Sequence, residues 1–178
     1  MLRLFTGVEI PHEVAQALAS QRGGLPGARW IDPANYHLTL RFIGDVDDSI
    51  ADEVELLLGK VKRNAFELHL EGLTSFGGRK PRAVVAAVTP AQPLLEVQAE
   101  HERLMQRIGL DPEGRKYTPH VTLARLRDSS STQVAEYLSA RGYFRTAAFR
   151  VSRFVLFSSR ASVGGGPYVV EASYPLAA

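Results

Sequence analysis

His37-Leu38-Thr39-Leu40 and His120-Val121-Thr122-Leu123 are two copies of one pattern, His-aliphatic-Thr-Leu, and their histidines lie 83 positions apart. Around each copy apolar and polar residues alternate, which is typical of a strand with one buried face. Residues i and i+2 of a strand point to the same side. Each copy therefore presents an imidazole beside a hydroxyl and turns its aliphatic residues toward a core.

The rest of the chain predicts further strands and helices in an order that repeats. Hydrophobic periodicity, proline positions and glycine breaks give strands at 2–10, 28–31, 66–71, 83–88, 149–157 and 168–174, and helices from Pro11, at 47–61, 94–108 and 132–140. No change of composition marks a linker. We expect one α+β domain over residues 1–178, made of two related, pseudo-symmetric lobes.

Composition limits the class of protein. The 178 residues are 45% hydrophobic and 22% charged, with a net charge of +2 that permits an anionic substrate. The absence of cysteine excludes disulfides, cysteine-zinc sites and thiol nucleophiles. No apolar stretch approaches the roughly 20 residues of a membrane helix, and no signal peptide is evident. We expect a cytoplasmic monomer with no membrane partner.

The two motifs suit phosphodiester hydrolysis. That reaction needs a base to activate water and an acid to protonate the leaving oxygen, and imidazole, with an ordinary pKa of about 6.5, can take either role. The hydroxyls of Thr39 and Thr122 can donate hydrogen bonds to phosphate oxygens. One His-x-Thr tripeptide would say little, but two copies on strands favour a functional site. The scheme needs no metal and no cofactor.

The other three histidines carry no chemistry that we can assign. His12 falls in the first turn of a helix and His69 on the polar side of a strand, which favours surface positions. His101 lies on the apolar stripe of its helix, where a hydrogen-bonded core histidine is expected.

Through these motifs the chain resembles the 2H phosphoesterases, in particular the bacterial and archaeal RNA 2′,3′-cyclic phosphodiesterases that are also described as 2′-5′ RNA ligases. The resemblance covers nearly the whole chain and rests on residues 3–8, 29–30, 37–44, 76–77, 81–82, 117–125, 156–159, 166 and 168. It implies a bilobal duplicated fold, with two antiparallel sheets flanking a central cleft and helices on the outside.

The same resemblance implies an activity and a division of roles. The substrate would be RNA or a nucleotide that ends in a 2′,3′-cyclic phosphate, and the product a 2′-phosphate end. His37 would be the proton donor, and His120 the acceptor that activates water. Reversible 2′-5′ ligation of RNA is a further expectation.

The sequence leaves two or more roles open for several residues near the motifs. Arg125 matches a family arginine and is a candidate phosphate ligand with Thr39 and Thr122, yet plain alternation points it away from His120 unless a bulge or the strand end turns it. The basic loop 79–82 could attract an RNA phosphate or be merely solvated. Three aromatic residues could stack a base, although core packing is the better expectation: Phe5, Trp30 and Tyr117.

Other functions compete with the leading hypothesis. The substrate could instead be a small cyclic nucleotide, a 2′-5′ oligonucleotide or a cyclic phosphate derived from ADP-ribose. A non-catalytic RNA-binding module on the same fold is disfavoured, because it would not need two acid–base groups. A metallohydrolase is weaker still, since the chain has no His-Glu-x-x-His and neither motif contains a carboxylate. The glycines at 164–166 are expected to form a hairpin turn.

Overall fold

A computed structural model describes residues 2–159 and 166–178 of the chain. Its elements, in chain order, are β1 (Leu2–Glu9), α1 (His12–Ala19), β2 (Ala28–Trp30), β3 (His37–Val46), α2 (Asp48–Leu58), β4 (Phe66–Leu68), β5 (Leu70–Phe76), β6 (Ala83–Val88), α3 (Gln92–Ile108), β7 (His120–Leu126), α4 (Ser131–Arg141), β8 (Phe149–Val151), β9 (Arg153–Ser159) and β10 (Tyr168–Pro175). The expected α+β class is confirmed.

The strands form two antiparallel sheets. The larger has eight strands in the order β10-β9-β1-β3-β7-β6-β5, with β2 paired to β7 beside β3, and the smaller joins β4 to β8. The two histidine motifs open β3 and β7, and these neighbouring strands pair at Leu38 and Val121. The centre of the large sheet is therefore the place where the two motifs meet.

One face of the large sheet is covered by helices. Leu38 and Val121, which are 1% and 0% exposed, belong to a single large hydrophobic cluster to which all four helices contribute buried residues. A second, smaller cluster of Phe5, Val155 and Phe157 lies apart from it, with Tyr168 packed alongside. Because neighbouring residues of a strand point to opposite faces, the polar residues of the motifs lie on the face away from the helices.

Helix ends follow local chemistry. The Asp47 side chain accepts a hydrogen bond from the backbone of Ile50 at the start of α2, and Ser130 and Gln133 form a reciprocal capping box at α4. Gly109, with φ of 104°, ends α3 in the left-handed conformation.

Two predicted strands are each divided in the structure. The stretch 66–71 becomes β4 and the start of β5, which belong to different sheets, and 149–157 becomes β8 and β9. The pairing of β5 shifts between Leu70 and Leu73, where Gly72 has φ of 87°. This irregularity breaks the alternation that would have predicted β5 to its end. Of the expected glycine turn, Gly164 and Gly165 lie outside the described residues.

Candidate active site

The register between β3 and β7 brings the two motifs together. Leu38 lies opposite Val121. Extending this antiparallel pairing by one residue in each direction places His37 opposite Thr122 and Thr39 opposite His120. Directly opposed residues point to the same face, and diagonal neighbours lie about 7–8 Å apart. The result is an array of two imidazoles and two hydroxyls, with each histidine beside a threonine of the other strand.

The two strands also share a bulge. In β3 the pairing with β1 runs from Thr39 to Arg41 and skips Leu40, and in β7 the pairing with β6 runs from Thr122 to Ala124 and skips Leu123. Both skipped residues are the third after the motif histidine. The pattern of buried and exposed residues over the first seven positions is the same in both strands.

The bulge at Leu123 turns Arg125 to the face of the motifs. In β6, Val85 lies opposite Thr122 and Ala83 lies opposite Arg125. Ala83 and Val85 are two residues apart and share a face, so Arg125 lies on the face of Thr122 and His120. Plain alternation, which pointed Arg125 away from His120, is the wrong rule for a bulged strand. The charge of Arg125 also acts on His37, whose pKa it lowers.

His37 lies in an aromatic environment. Its ring centroid is 4.9 Å from Phe5, 5.6 Å from Phe157 and 4.9 Å from Tyr168. Burial lowers the pKa of His37 to about 4, and the charges of His120 and Arg125 lower it as well, whereas the hydrogen bond to a backbone carbonyl acts in the opposite direction. The unliganded protein therefore holds His37 as neutral imidazole near pH 7.

His120 has a more open setting. One aromatic ring packs against it: Phe76 meets the imidazole edge to face, with the centroids 4.8 Å apart. Phe76 ends β5, next to the loop at 77–82 whose basic side chains are exposed.

Both imidazoles are oriented in the same way. His37 Nδ1 lies 3.0 Å from the carbonyl oxygen of Asn35, and His120 Nδ1 lies 2.7 Å from that of Thr118. A carbonyl can only accept, so each Nδ1 carries the proton and donates it, which leaves Nε2 of the neutral ring with its lone pair. His37 Nε2 is 3.0 Å from Thr39 Oγ1, whose hydroxyl can donate to it. In each motif Nε2 is the nitrogen available for proton transfer.

Comparison with known proteins identifies the family of the chain. The family model of the 2′-5′ RNA ligase superfamily matches residues 11–162, which is most of the chain. The chain belongs to the 2′-5′ RNA ligase superfamily. The expectation drawn from the motifs is thereby confirmed at the level of the family.

Individual members of the superfamily give the degree of similarity. A protein of Aquifex aeolicus named RNA 2′,3′-cyclic phosphodiesterase is 31% identical over 96% of this chain and 93% of its own length. One of the same name from Aeropyrum pernix is 36% identical, but over 58% of this chain and 60% of its own. The crystal structure of Escherichia coli LigT complexed with 3′-AMP matches with a TM-score of 0.77 and 23% identity, over 98% of each chain, which shows the shared fold.

The superfamily motifs are joined here by side chains that the sequence did not reveal. Tyr117 donates its hydroxyl proton to the backbone oxygen of Thr39 at 2.8 Å, which ties the segment before the second motif to the strand of the first. Arg41 forms an ion pair with Glu102 at 2.8 Å and also donates to the backbone oxygen of Asp111 at 2.6 Å. The hydrogen bonds made by Tyr117 and by Asp111 hold the 109–119 loop, which carries the carbonyl that orients His120.

A second buried link supports the bulge of β3. The backbone N–H of Arg41 donates to Thr6 Oγ1 at 3.1 Å, and the same hydroxyl lies 2.9 Å from Nδ1 of His101. His101 is 0% exposed, and its Nε2 has no hydrogen-bond partner among the described residues. The predicted hydrogen-bonded core histidine is present. Its pKa is lowered to about 3 by burial, with a smaller contribution from Arg63.

The three aromatic candidates for base stacking have different surroundings. Phe5 is buried against His37, Tyr117 is held by its hydroxyl, and Trp30 packs against Tyr137 at 5.8 Å between centroids. Phe5 belongs to the smaller hydrophobic cluster, and Trp30 and Tyr117 pack against the larger one, which agrees with core packing; base stacking stays a prediction.

A cavity of about 580 Å³ opens beside His37. Its lining includes Glu9, His12, Gln16 and Asp32, as well as Tyr168. In the described part of the chain, no group of three or more His, Cys, Asp or Glu residues could hold a metal ion, and no helix is long and apolar enough to cross a membrane.

Proposed function

We propose that this protein hydrolyses the 2′,3′-cyclic phosphate at the end of an RNA to a 2′-phosphate, with His37 and His120 as the acid–base pair. The observation that carries the proposal is the array on β3 and β7, where two imidazoles with available Nε2 atoms flank two hydroxyls on one face. The relatives named RNA 2′,3′-cyclic phosphodiesterase support the choice of substrate.

The array and Arg125 together supply the groups that the proposed reaction uses. Nε2 of His120 takes a proton from water as the water oxygen bonds to phosphorus. The bond from phosphorus to the ribose 3′-oxygen breaks, and His37 gives that oxygen a proton from its own Nε2. The phosphate remains on the 2′-oxygen. Thr39 and Thr122 donate hydrogen bonds to the non-bridging oxygens, and the Arg125 guanidinium neutralises part of their charge.

The donor role of His37 has an electrostatic requirement. In the free protein burial holds its pKa near 4, which leaves little imidazolium at neutral pH. A bound phosphate places a negative charge beside the ring, and an opposite charge within a few ångströms raises the pKa of a histidine. Substrate binding therefore protonates His37, which later transfers that proton to the leaving oxygen. An acceptor role for His37 would need no such rise.

A second candidate is hydrolysis of a small cyclic nucleotide. The 580 Å³ cavity that adjoins His37 falls within the range of small-molecule sites. A 2′-5′ oligonucleotide and a cyclic phosphate from ADP-ribose share the same chemistry. Reversible ligation, the cytoplasmic location and the monomeric state stay predictions; size-exclusion chromatography tests the last of these.

The decisive experiment uses an RNA oligonucleotide that ends in a 2′,3′-cyclic phosphate, incubated in EDTA with the wild-type protein and with His120→Ala. We expect the wild-type protein alone to produce a 2′-phosphate end. A 3′-phosphate product would contradict the leaving-group assignment, and loss of activity in EDTA that returns with a metal ion would contradict metal independence. Conversion of 2′,3′-cyclic AMP but not of RNA would favour the second candidate.

A further inference from the structure

Two arginines lie side by side on the face of the active site. Arg29 of β2 is directly opposite Arg125 of β7, with Ala28 opposite Leu126 and Trp30 opposite Ala124. Opposed residues of an antiparallel pair share a face, so Arg29 points to the same side as Arg125 and the motif residues. The neighbouring strand axes are about 4.8 Å apart.

Among the residues that the structure describes, this pair of charges has no ion-pair partner. Both residues are exposed, and within residues 2–159 and 166–178 neither guanidinium takes part in an ion pair. Like charges that face each other directly across two strands destabilise a sheet. A bound anion would remove that repulsion, and a guanidinium is well suited to phosphate because it can donate two parallel hydrogen bonds.

Arg29 lies beyond the end of the motif array. The array is centred where β3 meets β7, whereas β2 pairs with the end of β7, so Arg29 and Arg125 lie side by side past the array. The charge of Arg125 lowers the pKa of His37, which places Arg125 nearer the reacting phosphate. The exposed basic residues of the loop at 77–82 flank the same end, because β6 begins there with Ala83 opposite Arg125. Positive charge therefore continues beyond the site of hydrolysis in one direction.

We propose that Arg29 binds the phosphate on the 5′ side of the terminal nucleotide, so that the RNA strand leaves the active site over the β2–β7 pair. This inference rests on the proposed function and specifies its substrate: an oligonucleotide, or a nucleotide with a 5′-phosphate, is preferred over a cyclic nucleoside phosphate alone. Arg125 serves the reacting phosphate and Arg29 the next one.

Three substrates test the proposal with Arg29→Gln. Adenosine 2′,3′-cyclic phosphate lacks the second phosphate, its 5′-phosphorylated form has it, and an oligonucleotide with a cyclic end has it as a diester. Loss of one charge-assisted contact should lower kcat/KM about tenfold for the last two and change the first by less than about twofold. Arg103→Gln, which removes an exposed arginine from α3 behind the sheet, should match the wild type on all three.

The outcomes separate this inference from the proposed function. An equal loss on all three substrates would place Arg29 at the reacting phosphate and overturn the proposal, as would no loss on any. If the wild-type protein hydrolyses none of them, the proposed function fails, and binding of a 2′-phosphate-ended oligonucleotide decides the role of Arg29. The logarithm of the binding constant decreases with the logarithm of the salt concentration, and this slope should be less steep by about 0.7 in Arg29→Gln, the value for one phosphate contact on a single strand. An unchanged slope would reject the contact.

Discussion

The strands β3 and β7 carry the same motif, the same bulge and the same burial pattern, but their surroundings differ. His37 is enclosed by three aromatic rings and His120 contacts one. Five positions after the motif histidine, β3 has Phe42, which is 51% exposed, and β7 has Arg125. Two strands with the same bulge and burial pattern thus present two equivalent imidazoles in unlike settings, which the proposed division of roles requires.

Removal of either imidazole should have the largest effect. We expect His37→Ala and His120→Ala each to lower kcat by at least about a hundredfold, since general acid–base catalysis contributes about 10²–10⁴. Initial rates on RNA with a cyclic phosphate end measure this, and circular dichroism checks that both variants fold. His69→Ala is the control and should keep full activity, since His69 lies between β4 and β5, where it is hydrogen-bonded to Thr89. A variant at either motif histidine that retains wild-type turnover would exclude the two-histidine mechanism.

Removal of the hydroxyls should have a smaller and unequal effect. Thr39→Val and Thr122→Val keep the side-chain shape but lose a donor to the charged phosphate, which corresponds to about a tenfold to hundredfold loss of kcat/KM. Thr39 also contacts His37 Nε2 in the free protein, so its replacement should alter the titration of His37 as well. If both variants match the wild type in kcat/KM, the threonines are only structural.

The titration of His37 provides a direct test of the difference in setting. By NMR we expect its pKa near 4 in the free protein and a rise of about 1–3 units when a 2′-phosphate product is bound. The folded pKa is below the ordinary 6.5, so the unfolded chain binds more protons between about pH 6.5 and 4, and the free energy of unfolding falls as the pH drops through that window. A free-protein pKa near 6.5, or no rise with the anion, would refute the electrostatic account.

The smallest expected effect is on the stability of the protein and follows from loss of the buried hydrogen bonds that Thr6 makes to Arg41 and His101. Thr6 lies opposite Arg41, and the equivalent place in the other half is Val84 opposite Ala124. Thr6→Val leaves the Arg41 N–H and His101 Nδ1 without their hydroxyl, which should lower the free energy of unfolding by about 1–3 kcal/mol in urea denaturation.

The matched control for that change is Thr6→Val with His101→Leu. The double variant should recover part of the stability, because replacing both polar partners by apolar groups avoids an unsatisfied buried nitrogen. Additive losses in the double variant would mean that the pair does not act as a unit.

The sequence predicted the main features of the site because they follow from periodicity. The alternation around His37 and His120 identified the two strands and the shared direction of imidazole and hydroxyl, and the stripe containing His101 identified a core histidine. These features depend only on neighbours along the chain.

The features that the sequence left open or missed depend on pairing between distant strands. The bulges at Leu40 and Leu123 exist only relative to β1 and β6, so alternation alone assigned Arg125 to the wrong side. The hydroxyl of Tyr117 reaches a carbonyl 78 positions away, and no local pattern indicates such a contact. The facing of Arg29 and Arg125 likewise appears only in the register of β2 and β7.

The bulges have a consequence for how such chains can evolve. The residue skipped at each bulge decides which face of the sheet all later side chains of that strand point to. Loss or gain of a single codon between the motif histidine and the fifth residue after it would therefore turn Arg125 into the core and a leucine into the cleft. Replacing one amino acid by another in these strands keeps the direction of the later side chains, whereas inserting or deleting a residue reverses that direction. Apart from the motif histidines and threonines and Arg125, we expect natural relatives to vary in residue type along 37–43 and 120–126 but to keep the number of residues fixed.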